Sequence, residues 1–385
     1  MRRDQLGDLV DQVTTKAVGR KQADLPYVGL EHVASGTRTL ISTAPSSVSV
    51  SANGVFESGD VLFGKLRPNL RKAVQMTFGG YCSTDFLVLR PRSGVDPRFA
   101  GHAASSDAIF RHAERNSIGT GMPRTSWMAV SQAPIAVPPL EEQRRIAEVL
   151  DTIDETIRAT ERVIAKLMAT QTGILRTELE AGALTSRQST IEREFEIESG
   201  ITINATRAPR FNPVGYLRVA NVQRGFIDTS ALAMLEATQG EVIQKGLVAG
   251  DLLVVEGHAS PREIGRCAVV PPSAEGLVFQ NHLFRLRSRS IAPDVAQLLL
   301  NAMDAQEYWR RMCSTSSGLH TINSSMLRSM PISVPDRDHQ RVLLDLIRAS
   351  NDSVFSETTQ LEKLRRLRSG LASDLLSGRV RTVAV

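Results

Sequence analysis

The chain of 385 residues has few cysteines and no long apolar run. Its three cysteines, Cys82, Cys267 and Cys313, are far apart, which supports neither a disulfide framework nor a paired-cysteine zinc site. We expect buried, reduced thiols, as in a cytoplasmic protein. No apolar stretch approaches the length of about eighteen residues that a membrane-spanning helix needs. The amino terminus lacks an apolar core segment, so no signal peptide is expected.

Lysine is also scarce, since the 46 basic residues include only seven lysines, and the formal net charge is +5. A mild positive charge is compatible with a polyanionic partner such as nucleic acid. Arginine presents a planar fork of donors that suits guanine edges and phosphates. A biased codon composition would enrich arginine equally well, so composition by itself leaves the function open.

The motifs of several enzyme classes are missing. No Gly-x-x-x-x-Gly-Lys phosphate-binding loop occurs, and Gly119 and Gly121 do not extend to a dinucleotide-binding fingerprint. Neither Pro-Pro pair has the flanking residues of an adenine methyltransferase motif, and no lysine follows an acidic residue at nuclease spacing. The seven histidines show no metal-ligand spacing. We therefore predict no catalytic centre, no metal site and no cofactor bound by this chain.

One unusual phrase occurs twice: PIAVPPLEEQRR begins at residue 134 and PISVPDRDHQRV begins at residue 331, 197 residues later. Other segments match at the same offset, which is 191 and 189 further upstream and so places an indel in a surface loop. A repeat of this length predicts two copies of one domain, because solenoid repeats are only about 20–50 residues long. The matching segments are 27–36 with 216–225, 59–62 with 250–253, 83–90 with 280–287, and 134–144 with 331–341.

Each phrase leads into a long segment without proline, whose apolar residues recur at spacings of three and four. This heptad pattern predicts two helices of about 40 residues, each about 60 Å long. We expect them to pack on each other, antiparallel; the alternative is that each helix covers the core of its own domain. The predicted seam consists of Ile146, Leu150, Ile153, Ile157, Ile164, Leu167 and Ile174 in the first helix and Leu343, Ile347, Val354, Leu361, Leu364, Leu371 and Leu375 in the second.

Between the helices, short apolar runs alternate with turn signals, which predicts a mixed α+β fold without a regular βαβ rhythm. Strands are predicted at 61–63, 86–89, 252–255 and 282–286, and helical segments at 97–115 and 293–312. The predicted organisation is a globular domain at 1–140, a helix at 141–182, a second globular domain at 183–337, and a second helix with a tail at 338–385.

Each predicted domain also contains two polar stretches where a core would be apolar: 64–72 and 114–127 in the first copy, and 256–266 and 313–325 in the second. Cations neutralise phosphates, whereas arginine, asparagine and histidine also reach base edges. Solvated loops are the alternative, but their recurrence with different residues favours the reading of two different DNA sequences. The candidate DNA-contacting residues are Lys65, Arg67, Asn69, Arg71, Lys72, Arg115, Asn116, Thr120, Arg124, His258, Arg262, Arg266, Ser316, His320 and Asn323.

With these features the chain resembles the specificity subunits of type I restriction–modification systems. The resemblance spans the whole length and depends on GDVLFGKLRPNLRKA (59–73), YCSTDFLVLRP (81–91), PIAVPPLEEQRRIAEVLD (134–151), YLRVANVQRGFID (216–228) and the second Pro-rich phrase with its helix. The second copy departs from the first at its loop, where EGHASPREIGR (256–266) replaces the KLRPNLRK form.

The resemblance implies two target-recognition domains separated by a coiled-coil-like pair of antiparallel helices. Each domain would read one half of a bipartite target in double-stranded DNA, and the helices would measure the spacer. Methylation and cleavage would belong to partners: two adenine-N6 methyltransferase subunits using S-adenosylmethionine, and restriction subunits using ATP and Mg²⁺. Two other interpretations stay open from the residues alone, namely a non-catalytic coiled-coil scaffold with two protein-binding heads and an unrecognised nuclease.

Overall fold

A computed structural model describes residues 4–17, 25–48, 51–182, 185–209, 211–316 and 319–382, with the backbone only at 314–316. The strands are β1 Val10–Val13, β2 Lys16–Ala17, β3 Pro26–Val28, β4 Ala44–Pro45, β5 Asn53–Phe56, β6 Val61–Gly64, β7 Ala73–Gln75, β8 Gly80–Cys82, β9 Phe86–Pro91, β10 Arg187–Thr190, β11 Phe195–Ser199, β12 Pro213–Leu217, β13 Ala233–Glu236, β14 Leu252–Val255, β15 Gly257–His258, β16 Cys267–Val269, β17 Val278–Phe279, β18 Leu283–Ser288, β19 Ser314–Ser316, β20 Leu319–Thr321 and β21 Pro331–Val334. The helices are α1 Pro97–Ala104, α2 Asp107–Arg115, α3 Trp127–Ser131, α4 Leu140–Gly182, α5 Ile191–Glu194, α6 Gln239–Lys245, α7 Pro293–Asn301, α8 Met303–Met312, α9 Ser324–Ser329 and α10 Arg337–Leu376.

The chain forms two compact units: unit 1 is Met1–Ile164 with Glu357–Val385, and unit 2 is Ala165–Ser356. All four predicted strands are present, and each predicted helical segment is two shorter helices, α1 with α2 and α7 with α8. The first pair is divided by Ser106, whose side chain accepts a hydrogen bond from the Ile109 amide and so caps a new helix. Among the residues that the structure describes, no helix is long and apolar enough to cross a membrane.

The two units contain the same antiparallel four-stranded sheet. In unit 1 its strand order is β1-β9-β6-β7, and in unit 2 it is β11-β18-β14-β16. The registers also correspond, because Val61 faces Leu89 in unit 1 and Leu252 faces Leu286 in unit 2. A parallel pair joins β3 to β8 in unit 1 and β12 to β17 in unit 2. The prediction of a duplicated, mixed α+β domain is therefore confirmed.

A buried aspartate fixes the turn before the central strand in each copy. Asp60 receives two hydrogen bonds from the Arg90 guanidinium, both at 2.8 Å, and Asp251 receives two from Arg287 at 2.7 and 2.8 Å. Both aspartates are almost fully buried, so each needs a charged partner to offset the loss of hydration. This requirement explains why the Gly-Asp turn and the arginine recur together in the sequence.

The repeated glutamine of the Pro-rich phrase attaches each long helix to its domain. Gln143 accepts a hydrogen bond from the Asp96 amide at 3.0 Å and donates one to the Pro138 carbonyl at 2.8 Å. Gln340 accepts one from the Ala292 amide at 3.1 Å in the same way. Asp96 and Ala292 directly precede α1 and α7, so the glutamines hold corresponding helices to the starts of α4 and α10.

Helices α4 and α10 contain 43 and 40 residues and run antiparallel within each unit. In unit 1, Asp154 lies 3.0 Å from Arg368 and Glu161 lies 2.7 Å from Arg365. In unit 2, Gln171 donates to Asn351 at 3.2 Å, and the His339 ring lies 2.8 Å from the Glu178 carbonyl. As the residue number rises along α4 it falls along α10, which gives the antiparallel direction that the heptad pattern predicts.

The predicted seam is buried or half-buried at each of its positions except Ile174, which is 44% exposed. Leu175, the next residue, is buried instead and belongs to the unit 2 core. The ends of the helices also join the domain cores, since Ile146 packs in one cluster with Phe99, and Leu343 packs in another with Leu286. The long helices therefore do both: they pair with each other, and their ends also cover the domain cores, which was the alternative expectation.

Candidate nucleic-acid interface

The two polar stretches predicted in the first copy lie against each other in unit 1. The Arg67 amide donates to the Pro123 carbonyl at 2.7 Å, and the Thr125 amide donates to the Lys65 carbonyl at 2.9 Å. Ile118 and Arg124 exchange two backbone hydrogen bonds of 2.9 Å, which closes a short hairpin. The loop and the hairpin enclose an open cleft of about 320 Å³. It is lined by Arg67, Pro68, Asn69, Leu70, Glu114, Ser117, Thr120, Gly121 and Pro123.

Two arginines of the first loop have left-handed backbone conformations. Arg67 and Arg71 have φ values of 51° and 50° and flank the short 3-10 turn Pro68–Leu70. This conformation is unfavourable for residues with a Cβ atom, so the surrounding hydrogen bonds must hold it. Arg67 is exposed and its guanidinium lies 3.4 Å from the Gly121 carbonyl, which directs its side chain along the rim of the cleft.

The other predicted residues of unit 1 differ in how far their side chains are occupied by protein contacts. Asn69, Arg115, Asn116, Thr120 and Arg124 are exposed, and Lys65 is half-buried. The Arg124 guanidinium lies 3.3 Å from Asp85, and the Asn116 amide donates to the carbonyl of His112 at the end of α2.

Arg71 and Lys72 form closer internal contacts than the sequence indicates. The Arg71 guanidinium lies 2.8 Å from Asp107 on α2, and the Lys72 ammonium donates to the Leu30 carbonyl at 2.7 Å. Both residues are half-buried. They hold the loop in position, and Arg67 is the arginine of this loop that is presented outward.

Unit 2 repeats this backbone arrangement with different side chains. The Lys65 amide donates to the Asp85 backbone carbonyl at 2.9 Å, and the Glu256 amide donates to the His282 backbone carbonyl at 3.0 Å. The bond from Thr125 to Lys65 has its counterpart in a 2.9 Å bond from the Ile322 amide to the Glu256 carbonyl. A lysine in one copy thus occupies the position of a glutamate in the other.

The side chains at this position differ in charge and hydrogen-bonding capacity. In unit 2 the His282 ring lies 2.9 Å from the Glu256 carboxylate. In unit 1 the corresponding residues are Lys65 and Asp85, with Arg124 on the neighbouring hairpin. Lys65 therefore corresponds to Glu256 and Asp85 corresponds to His282, so the basic side chain and the carboxylate exchange positions between the two units. Asp85 and Glu256 were not predicted from the sequence, and His282 was considered as a loop contact but not selected, although the repeat offsets of 191 and 197 relate Glu256 to Lys65 and His282 to Asp85.

Four predicted residues of unit 2 lie on the corresponding loop and hairpin. His258 of β15 pairs with His320 of β20, and the His258 ring accepts a hydrogen bond from the Ser260 amide at 3.0 Å. Arg262 is exposed at the tip of the loop. Ser316 belongs to β19, which pairs with β20, and only its backbone is described.

Arg266 and Asn323 differ from the expectation that they face DNA. Arg266 is only 6% exposed, and its guanidinium donates to the carbonyls of Val222 and Val219 at 2.7 and 3.0 Å. The Asn323 side chain accepts from the Met326 amide at 2.9 Å and caps α9. The residue type was compatible with DNA contact, but both side chains complete the hydrogen bonding of the fold.

Two of the three cysteines are buried, as the sequence predicts. Cys82 and Cys267 are buried, and burial raises the pKa of each thiol to about 12, so both stay protonated. Cys313 is half-buried, in contrast to the expected full burial. Within the described ranges, no group of three or more His, Cys, Asp and Glu side chains could hold a metal ion.

The comparisons with known proteins agree with the resemblance seen in the sequence. Residues 7–169 match the family model for the type I restriction modification DNA specificity domain. The EcoKI specificity subunit of Escherichia coli K12 is 23% identical over 306 residues, covering 75% of this chain and 64% of that protein. The StySPI specificity subunit of Salmonella potsdam is 23% identical over 308 residues, covering 76% and 65%. The match thus spans slightly less than two thirds of each relative.

Solved structures support the fold. One chain from a type I restriction–modification system superposes with a TM-score of 0.64 at 19% identity and covers 98% of both chains. The S subunit from M. genitalium gives a TM-score of 0.51 at 12% identity, covering 97% of this chain and 95% of that one. The predicted resemblance to specificity subunits is confirmed by the sequence comparisons, and the structural comparisons support the fold alone.

Proposed function

We propose that this chain, whose residues 7–169 match the model for the type I restriction modification DNA specificity domain, is the subunit that selects the DNA target of a type I restriction–modification system. It recognises a bipartite site in double-stranded DNA, with one half-site for each globular domain. It performs no chemistry itself. The sequence contains none of the catalytic motifs sought, in line with this role.

The observation that carries the proposal is the repeated backbone with exchanged side chains. The same two backbone hydrogen bonds hold Lys65 in unit 1 and Glu256 in unit 2. A lysine donates to guanine or phosphate oxygens, whereas a glutamate accepts from the amino group of cytosine. Two copies that served one protein partner would have no need of opposite chemistry at one position. Two copies that read different half-sites would require it.

The helix pair supports the bipartite character of the target. Helices of 43 and 40 residues are about 60–65 Å long, at about 1.5 Å per residue. We propose that this pair fixes the separation of the two reading surfaces. Because each base pair advances the duplex by about 3.4 Å and rotates it, a change of one base pair in the spacer would move one half-site out of reach.

The partners follow from the same role. Double-stranded DNA is the ligand, and two methyltransferase subunits and restriction subunits assemble with the chain, with pseudo-twofold docking of the methyltransferases on the duplicated fold. S-adenosylmethionine, ATP and Mg²⁺ serve those subunits, and this chain itself binds none of them. The complex works in the cytoplasm, where the DNA is.

A binding experiment tests the proposal directly. Sequencing of methylated DNA from cells with and without this gene identifies the motif, and the chain purified with its methyltransferase is then titrated with duplexes carrying that motif. We expect tight binding to the motif and at least a tenfold loss when the spacer gains or loses one base pair. Indifference to the spacer would contradict the measuring role, and absence of DNA binding at low salt would favour a protein scaffold.

Arg67→Ala tests whether the loop contacts DNA. We expect weaker binding at both matched and mismatched motifs, with the salt dependence reduced by about one counterion, because a phosphate contact is lost. Arg71→Ala should have a smaller effect, since Arg71 is paired with Asp107. Arg92→Ala is the matched control: Arg92 is exposed just beyond the opposite end of β9 and pairs with Asp11. If the salt dependence of DNA binding were the same for Arg67→Ala as for Arg92→Ala, this loop would be excluded from the interface.

A further inference from the structure

Exposed apolar side chains lie at the tip of the hairpin in unit 1. Ile118 is 85% exposed and Met122 is 60% exposed. The hairpin backbone is fixed by the paired hydrogen bonds of Ile118 with Arg124, and Gly119 allows the tight turn with φ of 105°. A rigid backbone therefore holds two large apolar groups out toward solvent.

Unit 2 has an apolar residue at the corresponding position. Leu319 follows Met122 by the repeat offset of 197 residues and is 45% exposed. The correspondence is structural as well, since Ser126 and Asn323, also 197 residues apart, cap the helices that follow. A single exposed apolar residue is ordinary on a protein surface. Here an exposed apolar residue occurs at the same position in both units, although the polar residues beside it differ. This recurrence indicates a role that the two units share.

Charge identifies the occupant of this surface. The guanidiniums of Arg67 and Arg124 belong to the loop and hairpin that carry Met122, and both residues are exposed. Cations around an apolar tip match DNA, whose phosphates surround stacked apolar base faces.

Resting on the proposed function, we infer that Met122 and Leu319 are wedges that enter the base stack, one in each half-site. A contact that is common to both domains cannot distinguish their half-sites, so it serves a step that is independent of sequence. Unstacking is such a step, because methionine and leucine side chains can separate adjacent base pairs of any sequence. The free-energy cost of this separation depends on how flexible the DNA base step is. A contact with a thymine methyl group would instead impose the same base on both half-sites.

The inference is tested with 2-aminopurine placed in turn at each position of both half-sites of the methylated motif. With the chain bound to its methyltransferase, we expect a severalfold rise in fluorescence at one step of each half-site, other than at the adenine that the methyltransferase itself extrudes. Met122→Ala should abolish the rise in one half-site only, and Leu319→Ala in the other. Met122→Leu should retain it. Met128→Ala, at a 73% exposed position on α3, should also leave it unchanged.

The outcomes separate this inference from the proposed function. Binding to the motif without any rise, or a rise that survives Met122→Ala, would overturn the wedge while leaving DNA recognition in place. A loss of affinity on replacing thymine by uracil that disappears in Met122→Ala would also overturn it, in favour of methyl contact. Failure of the complex to bind the motif would instead remove the proposed function itself.

Discussion

The Asp154 carboxylate lies 3.0 Å from the Arg368 guanidinium, and this ion pair in unit 1 has a neutral counterpart in unit 2. The repeat offset of 197 residues relates Asp154 to Asn351 and Gln171 to Arg368, and the Gln171 amide donates to Asn351 at 3.2 Å. The position that α4 contributes in unit 1 is thus contributed by α10 in unit 2, and the reverse. The two positions pair in both units, but the pair is charged in unit 1 and neutral in unit 2.

Removal of the Asp154 charge should destabilise unit 1. Asp154 also accepts a hydrogen bond from Arg38 at 3.0 Å, so Asp154→Asn leaves two largely buried guanidiniums without this carboxylate. We expect the free energy of opening of the helix pair to fall by about 2 kcal/mol. Hydrogen exchange of the helix amides measures it.

The double variant Asp154→Asn with Arg368→Gln reproduces the amide pair of unit 2 and should recover part of that loss. Asn351→Ala, the matched change in unit 2, should cost only about 0.5 kcal/mol because a single neutral hydrogen bond is lost. Equal costs for Asp154→Asn and Asn351→Ala would show that the ion pair contributes nothing special.

A charge placed in the seam should separate the long helices. Ile157 and Val354 are half-buried seam residues of the two units, and an aspartate at either position loses hydration without gaining a partner, at about 3 kcal/mol. We expect Ile157→Asp or Val354→Asp to abolish methylation by the assembled complex. The control Val163→Asp lies at a 45% exposed position of α4 and should be tolerated. Full methylation by the seam variants would disprove the importance of the helix pair.

The repeated glutamines should be necessary for the attachment of the helices. Gln143→Leu keeps the approximate volume but leaves the Asp96 amide and the Pro138 carbonyl without their partner, at about 2 kcal/mol. Gln340→Leu should weaken unit 2 to a similar degree. Urea unfolding followed by circular dichroism measures both. Gln132→Leu, at an exposed position, is the control, and a Gln143→Leu midpoint equal to that of the control would refute the assignment.

The buried His102 should make unit 1 sensitive to acid. Its Nε2 lies 2.8 Å from Asp151, and its Nδ1 lies against the Arg38 guanidinium, so the neutral ring donates at Nε2 and accepts at Nδ1. Burial lowers the pKa of His102 to about 4 from its ordinary value of 6.5; Asp151 and Asp154 oppose this shift, whereas Arg38 adds to it.

The unfolded chain therefore binds a proton at a higher pH than the folded one. The stability that comes from keeping the ring neutral is complete above pH 6.5 and is lost as the pH falls toward 4, by up to about 1.4 kcal/mol per pH unit. Stability measured against pH should show this slope, and His102→Gln should flatten it. A slope that persists in His102→Gln would have to come from other groups.

Much of the architecture could be predicted because it depends on periodic or repeated residues. The apolar spacing from Ile146 to Leu167 defines one helix face whatever surrounds it, and the repeat reveals a second copy without any knowledge of the fold. Ile174 shows the limit of that reasoning. It satisfies the spacing, but near the end of α4 the domain core selects its neighbour Leu175 for burial.

The sequence by itself determined the duplicated α+β domain, the two long helices and their antiparallel seam, because hydrophobic pattern and repeat offset are properties of the chain. Only the tertiary structure decided which polar residues of the loops face outward. Arg67 and Arg266 are the same residue type in corresponding polar stretches, yet one is exposed and the other is buried among backbone carbonyls. The reason is physical: a guanidinium binds a carbonyl of the fold as readily as a phosphate, and the choice depends on which acceptors the folded backbone brings within reach.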